Sequence, residues 1–153
     1  MLVEEVMSRQ TRTCRVDDTL ATAARLMWDH DIGAIPVLGA DGKLAGIITD
    51  RDICMAGCFE SRPLAAMPVG AHMSHQVFTV EPAATLEAAE ELMAEKQVRR
   101  LPVVGFEGDL VGMITMADVA RAFGARRKEV NARGLADAMS RIVRSRQPEV
   151  ATS

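Results

Sequence analysis

The 153-residue chain has no tyrosine, one tryptophan and four phenylalanines. A protein that grips single-stranded nucleic acid stacks successive bases on aromatic rings, so this scarcity argues against a nucleic-acid partner. No apolar run approaches the ~20 residues that a membrane-spanning helix needs. The opening MLVEEVMSRQ places acids early and has no apolar stretch of signal-peptide length, so a cytoplasmic protein without a membrane partner is expected. Three cysteines, Cys14, Cys54 and Cys58, form an odd and scattered set. They do not read as a disulfide framework, and reduced thiols suit the cytosol. Also missing are a Ser-His-Asp order, a catalytic carboxylate pair and a Gly-x-Gly-x-x-Gly loop. With no nucleophile paired to a base, the chain is expected to be no enzyme and to require no cofactor.

What is present is ordinary globular composition, 48% hydrophobic and 25% charged, with an uneven net charge of −3. Residues 126–153 carry Arg126, Arg127, Lys128, Arg133, Arg141, Arg144 and Arg146 against Glu129, Asp137 and Glu149. That segment is +4 and residues 1–125 are −7. A basic helix of this kind is either a solvated surface or a complement to an acidic partner, such as the body of a second copy. Leu135, Met139 and Ile142 have helical spacing; Gly134 weakens the earlier half, where Val130 lies. A DNA-recognition helix would want a second helix and a turn before it, and neither is legible.

The chain repeats itself at an offset of 66. GIITDRDI, Gly46 to Ile53, returns as GMITMADV, Gly112 to Val119. Met7-Ser8 falls on Met73-Ser74, Thr19-Leu20 on Thr85-Leu86, Leu26-Met27 on Leu92-Met93, and Pro36-Val37 on Pro102-Val103. Between Met7 and Ile53, 18 of 47 positions match their counterparts without a gap. Such self-similarity means a duplicated structural unit, and two copies suffice to bury a shared face.

Each copy reads as strand-helix-strand-strand-helix, an α+β fold. Thr19 and Thr85 are N-cap candidates. Leu20, Ala23, Ala24 and Met27 share one helical face; so do Leu86, Ala89 and Met93, with Glu87, Glu90, Glu91 and Glu95 outward. Asp41-Gly42 and Glu107-Gly108 each sit between two apolar runs, a hairpin signal. Second helices are expected from Asp50 to about Gly57 and from Met116 to about Phe123, with Gly57 and Gly124 as stops. SRPLAAMPVG, with Pro63 and Pro68, reads as a linker. The division is residues 1–60 for the first repeat, 61–70 for the linker, 71–124 for the second repeat and 125–153 for a basic helix and tail.

The octet supports two readings. Thr-x-x-Asp at a helix start has capping-box spacing, so Thr49 and Asp52, and Thr115 and Asp118, can close their own helix ends. Gly46 and Gly112 then permit close approach to a strand. The same geometry suits a ligand: helix N–H groups favour an anion, and a first-turn carboxylate can accept hydrogen bonds from the vicinal hydroxyls of a ribose. In that case the glycine keeps a wall thin enough for a flat base.

An apolar-Pro-Val run before a hairpin, then Gly-apolar-apolar-Thr-x-x-Asp, twice in about 120 residues, resembles a tandem CBS-domain protein, also called a Bateman module. The resemblance covers roughly residues 1–124. It implies two β-α-β-β-α repeats packed about a pseudo-twofold axis, with two clefts between them and a C-terminal helix beyond. It implies adenosine-containing ligands, AMP, ADP or ATP and less often S-adenosylmethionine, and a homodimer acting on an unidentified downstream protein. By position, Thr49 and Asp52 hold ribose and phosphate in one cleft, and Thr115 and Asp118 in the other. The adenine wall maps to Thr13, Cys14, Val16 and Ile35 in the first copy and to Thr79, Val80 and Leu101 in the second.

The copies differ where phosphate charge is handled. Asp50 and Arg51 stand against Met116 and Ala117; Arg99-Arg100 stand against Gly33-Ala34. A guanidinium fork suits phosphate, which makes Arg51, Arg99 and Arg100 the phosphate candidates and the two clefts unequal. His72 and His75, at i and i+3, lack a third ligand at a diagnostic spacing, so no metal is assigned. Cys54 and Cys58, at i and i+4, share a helix face and read more readily as structural than as metal- or oxidant-binding.

Overall fold

The computed structural model describes residues 1–125 and 132–143. The rest of the basic segment, including Arg126, Arg127, Lys128, Val130, Arg144, Arg146 and Glu149, lies outside the described residues, as do the side chains of Arg133 and Leu135. A 3-10 turn at Val3–Glu5 opens the chain. The first repeat follows as β1 (Cys14–Arg15), α1 (Leu20–His30), β2 (Ala34–Leu38), β3 (Leu44–Thr49) and α2 (Asp50–Phe59). Two 3-10 turns, Leu64–Ala66 and Val69–Ala71, lead to α3 (Leu86–Lys96), β4 (Arg100–Val104), β5 (Leu110–Thr115), α4 (Met116–Ala125) and α5 (Ala132–Val143).

The α+β reading of two repeats and a C-terminal helix holds. Thr19 caps α1 by accepting from the Thr22 N–H, and Thr85 caps α3 by accepting from the Ala88 N–H. Leu20, Ala23 and Met27 are buried on one face of α1, and Leu86, Ala89 and Met93 on the matching face of α3. Gly42 and Gly108 take φ of 77° and 84° at the two hairpin tips, where a side chain would be strained.

β1 pairs parallel to β2, and β2 antiparallel to β3. In the second repeat β4 and β5 pair antiparallel, but the first strand shrinks to one bridge, Val80 to Val103. Proline explains the difference. The Val16 N–H donates to Leu38 O at 3.2 Å; the counterpart of Val16 is Pro82, which has no N–H to continue the ladder.

One expectation needs correction. α2 and α4 run through Gly57 and Gly124 and end at Phe59 and Ala125. A glycine inside a helix costs only about 1 kcal/mol relative to alanine, and in α2 the Glu60 N–H still closes the last turn on Ala56 O at 2.9 Å. In the segment between the repeats, Met67 and Val69 are fully buried in the first core.

The halves are interlaced. The Leu20 N–H donates to Met67 O at 2.9 Å and the Val69 N–H to Asp18 O at 2.8 Å, while Ile47 and Ser74 exchange two backbone bonds. One repeat later the pattern recurs with the N-terminus: Leu86 to Met1, Val3 to Ala84, and Ser8 with Met113. Val3 and Met7 thus belong to the second core, and Met67, Val69 and Met73 to the first. Among the described residues no helix is long and apolar enough to cross a membrane.

Candidate functional site

Both octets close as capping boxes. Asp52 Oδ2 accepts from the Thr49 N–H at 2.9 Å and from the Thr49 hydroxyl at 2.7 Å, and the Asp52 N–H donates to Thr49 Oγ1 at 3.2 Å. The second octet repeats this at 2.8, 2.6 and 3.2 Å between Thr115 and Asp118. The other carboxylate oxygens differ. Asp118 Oδ1 is bonded by Arg121 one turn on. The counterpart of Arg121 in the first repeat is Met55, which cannot make that bond.

The octet glycines do not thin a wall for a base. A Cβ on Gly46 would lie 2.5 Å from Met73 Sδ and 2.7 Å from Ser74 O; one on Gly112 would lie 2.7 Å from Met7 Sδ and 2.9 Å from Ser8 O. The space belongs to the Met-Ser segment crossing from the other half, which is why Met-Ser and Gly repeat together.

A cavity of about 790 Å³ opens between the repeats beside the first octet. The first repeat contributes Gly33, Ile47 and Thr49 to Asp52; the second contributes Gln76 to Phe78, Gln97 to Arg100, and Pro102; α5 adds Ile142 and Val143. The volume lies within the ~300–1,000 Å³ range of small-molecule sites. The cavity brings together five of the ligand candidates, Thr49, Asp52, Arg51, Arg99 and Arg100. Thr115 and Asp118 are not part of its lining.

The seven adenine-wall residues do not line it either. Cys14, Ile35, Val80 and Leu101 are buried in the two cores, Val16 packs on the first core, and Thr13 and Thr79 lie off the cavity. The walls the sequence reading missed are Gln76, Val77 and Phe78, just upstream of Thr79, together with Gln97, Val98, Ile142 and Val143. Ile142 had a signal, its helical spacing with Met139. Gln97 had none.

Arg100 reaches across the repeats. A Cβ on Gly33 would sit 3.0 Å from Asp50 Oδ2 and 3.8 Å from Arg100 Nη1, so the glycine makes room for both. Burial holds the Arg100 guanidinium below its ordinary value, Asp50 opposes that, and Arg99 adds to it. Arginine nevertheless stays charged at neutral pH. Charges around the cavity are thus Arg51, Arg99 and Arg100 against Asp50 and Asp52. In the first turn of α2 the Arg51 N–H donates to Asp50 Oδ1 at 2.8 Å, so an anion would find its strongest free donors on the guanidinium groups.

Other titratable groups serve elsewhere. Burial, with Asp18 nearby, pushes the Cys14 thiol up to about 11, so it stays protonated and inert at neutral pH. Cys54 and Cys58 are exposed on α2. His72 is tied to Pro68 O at 2.9 Å and to Glu60 Oε1 at 2.5 Å, and His75 is exposed. Among the described residues no group of three or more His, Cys, Asp or Glu is arranged to hold a metal ion.

The outer helical faces differ between repeats. Around the first, Trp28 and Phe59 are each 82% exposed, and α1 and α2 flank an open groove of about 440 Å³. In the second, α5 lies across α3 and α4 and buries Ile142.

The family model described as CBS domain matches residues 3–57 and again residues 69–125. The chain is 39% identical over 118 residues to CBS domain-containing protein YhcV of Bacillus subtilis, a match covering 77% of this chain and 82% of that protein. It is also 39% identical over 104 residues to hypoxic response protein 1 of Mycobacterium tuberculosis, covering 68% and 72% of the two chains. The CBS domain pair of protein MJ0100, solved in complex with 5′-methylthioadenosine and S-adenosyl-L-methionine, superposes with a TM-score of 0.74 at 26% identity. That match covers 83% of this chain and 98% of the other.

Proposed function

The chain belongs to the CBS-domain family, with two repeats in tandem, and from that premise we propose that it is a non-enzymatic regulatory module whose inter-repeat cavity binds an adenosine-containing nucleotide. AMP, ADP and ATP are the ligands in view. The observation that carries this reading is one cavity of about 790 Å³ joining Thr49 and Asp52 to Arg51, Arg99 and Arg100.

The capping box and the ligand role are compatible. An ionised carboxylate accepts about four hydrogen bonds, and the cap occupies Oδ2 alone. Oδ1 of Asp52 accepts a ribose hydroxyl, while the cap holds the carboxylate in place and lowers the ordering cost of binding. Arg51, Arg99 and Arg100 take the phosphates. Because Arg121 claims the corresponding oxygen of Asp118, the clefts are unequal and the first binds more tightly.

Occupancy signals by favouring one arrangement of the interlaced repeats over another, which requires only that the ligand bind one better. The module pairs with a second copy through the first repeat, where Trp28, Met55 and Phe59 are exposed. The equivalent second-repeat face is already covered by α5.

A second reading, an assembly adaptor with no nucleotide, draws on the four octet side chains being satisfied by their own helix ends. Thermal melting with AMP, ADP and ATP separates the two. A ligand that binds only the folded state adds about 2.7 kcal/mol at a hundred times its Kd, which raises Tm by several degrees. A rise with at least one nucleotide is expected; an unchanged Tm across the panel leaves the adaptor.

A further inference from the structure

α5 lies outside the duplicated sequence, yet it contributes Ile142 and Val143 to the cavity wall. Three contacts hold its last turn on the second repeat. Ile142 is 3% exposed within the second core. Arg141 Nη2 lies 3.4 Å from Glu90 Oε1. The Gln97 side-chain amide donates to Arg141 O at 2.8 Å and to Ala94 O at 2.9 Å. Gln97 ends α3 in the left-handed conformation, φ 54°, and is itself among the residues that line the cavity. One residue therefore joins the end of α3, the end of α5 and the cavity.

The first repeat carries the same groove with no described helix of this chain across it. Glu90 and Gln97, which hold α5, correspond by the 66-residue offset to Ala24 and Asp31, and both of these line the open groove of about 440 Å³ between α1 and α2. The two repeats therefore share the groove and differ in whether a described helix of this chain lies across it.

We propose that α5 is a ligand-contacting wall of the inter-repeat cavity, latched by Gln97, and that filling the cavity holds α5 on the second repeat. The inference rests on the nucleotide reading above. Ile142 and Val143 meet a ligand only while α5 is docked, so the docked state binds better and the bound population shifts toward it. Coupling is reciprocal: whatever loosens α5 weakens binding by the same factor. Val143, 45% exposed, gains cover when the cavity fills.

The test is hydrogen exchange over residues 132–143 of the full chain with and without ATP and AMP, beside calorimetric affinities for the parent, Val143→Ser and Gln97→Leu. Nucleotide is expected to slow exchange in α5, with both variants binding roughly fivefold more weakly. Val143→Ser sits at an exposed helix end and leaves the fold intact, so the result does not depend on Gln97→Leu folding. Nucleotide binding at parent affinity in both variants, with α5 exchange unchanged, overturns this inference and leaves the nucleotide reading standing. No binding to the parent overturns both.

Discussion

At the scale of single residues, one residue type has opposite roles a few positions apart. Gly46 and Gly112 face the crossing Met-Ser backbone, and backbone atoms such as Ser74 O cannot swing aside. Gly46→Ala and Gly112→Ala are each expected to cost about 1–3 kcal/mol, read as a lower urea midpoint with an unchanged slope. Gly57 and Gly124 sit inside helices with room to spare: a methyl at Gly57 would have its nearest neighbour at 3.7 Å, and one at Gly124 would meet nothing within 4 Å. Gly57→Ala and Gly124→Ala are expected to stabilise by about 0.5–1 kcal/mol by the same measurement. From sequence the two kinds look alike. Repetition of the octet marked Gly46 as constrained, but the constraining partner, Met73-Ser74, lies 27 residues away and no local signal connects them.

At the scale of elements, the caps, hairpins and buried helix faces were legible because each depends on neighbours within about four residues. Helix ends were less so, since a glycine inside a helix costs only about 1 kcal/mol and does not by itself stop α2 or α4. The segment between the repeats carries a clasp that no spacing announced. Both His72 ring nitrogens face acceptors, Pro68 O and the Glu60 carboxylate, so both bonds form only with the imidazolium. The Pro68 carbonyl first, and Glu60 next, raise His72 above its ordinary value; Arg62 first, and then His72, lower Glu60 below its own. The raised His72 value means that its stabilisation is full below the ordinary histidine value and is lost as pH rises through the raised one. The depressed Glu60 value means that its share is lost as pH falls through that value. The Tm deficit of His72→Ala is therefore expected to be largest near pH 5.5 and to narrow by about pH 9. A deficit that does not vary with pH would show that the histidine acts by packing alone.

At the scale of the whole molecule, duplication was readable and interlacing was not. Self-alignment placed Met7-Ser8 on Met73-Ser74 without revealing that each pair packs in the other half. The same limit applied to the site: comparing the copies singled out Arg51, Arg99 and Arg100, which the cavity brings together, while the seven proposed adenine-wall positions are not among its lining residues. With α5 covering one helical face, the proposed pairing with a second copy uses the exposed first-repeat face. Trp28→Glu is expected to convert a dimer to a monomer in sedimentation velocity; an unchanged dimer would place the interface elsewhere. The central claim is that the first octet and three arginines hold a nucleotide, and calorimetric titration of ATP and AMP into the parent, Asp52→Ala and Asp118→Ala tests it most directly. Both variants lose an equivalent cap, but only Asp52 borders the cavity. The account expects Asp52→Ala to bind about 10- to 100-fold more weakly, the loss of one hydrogen bond to a charged group, with Asp118→Ala near the parent. Binding by Asp52→Ala at parent affinity would contradict it.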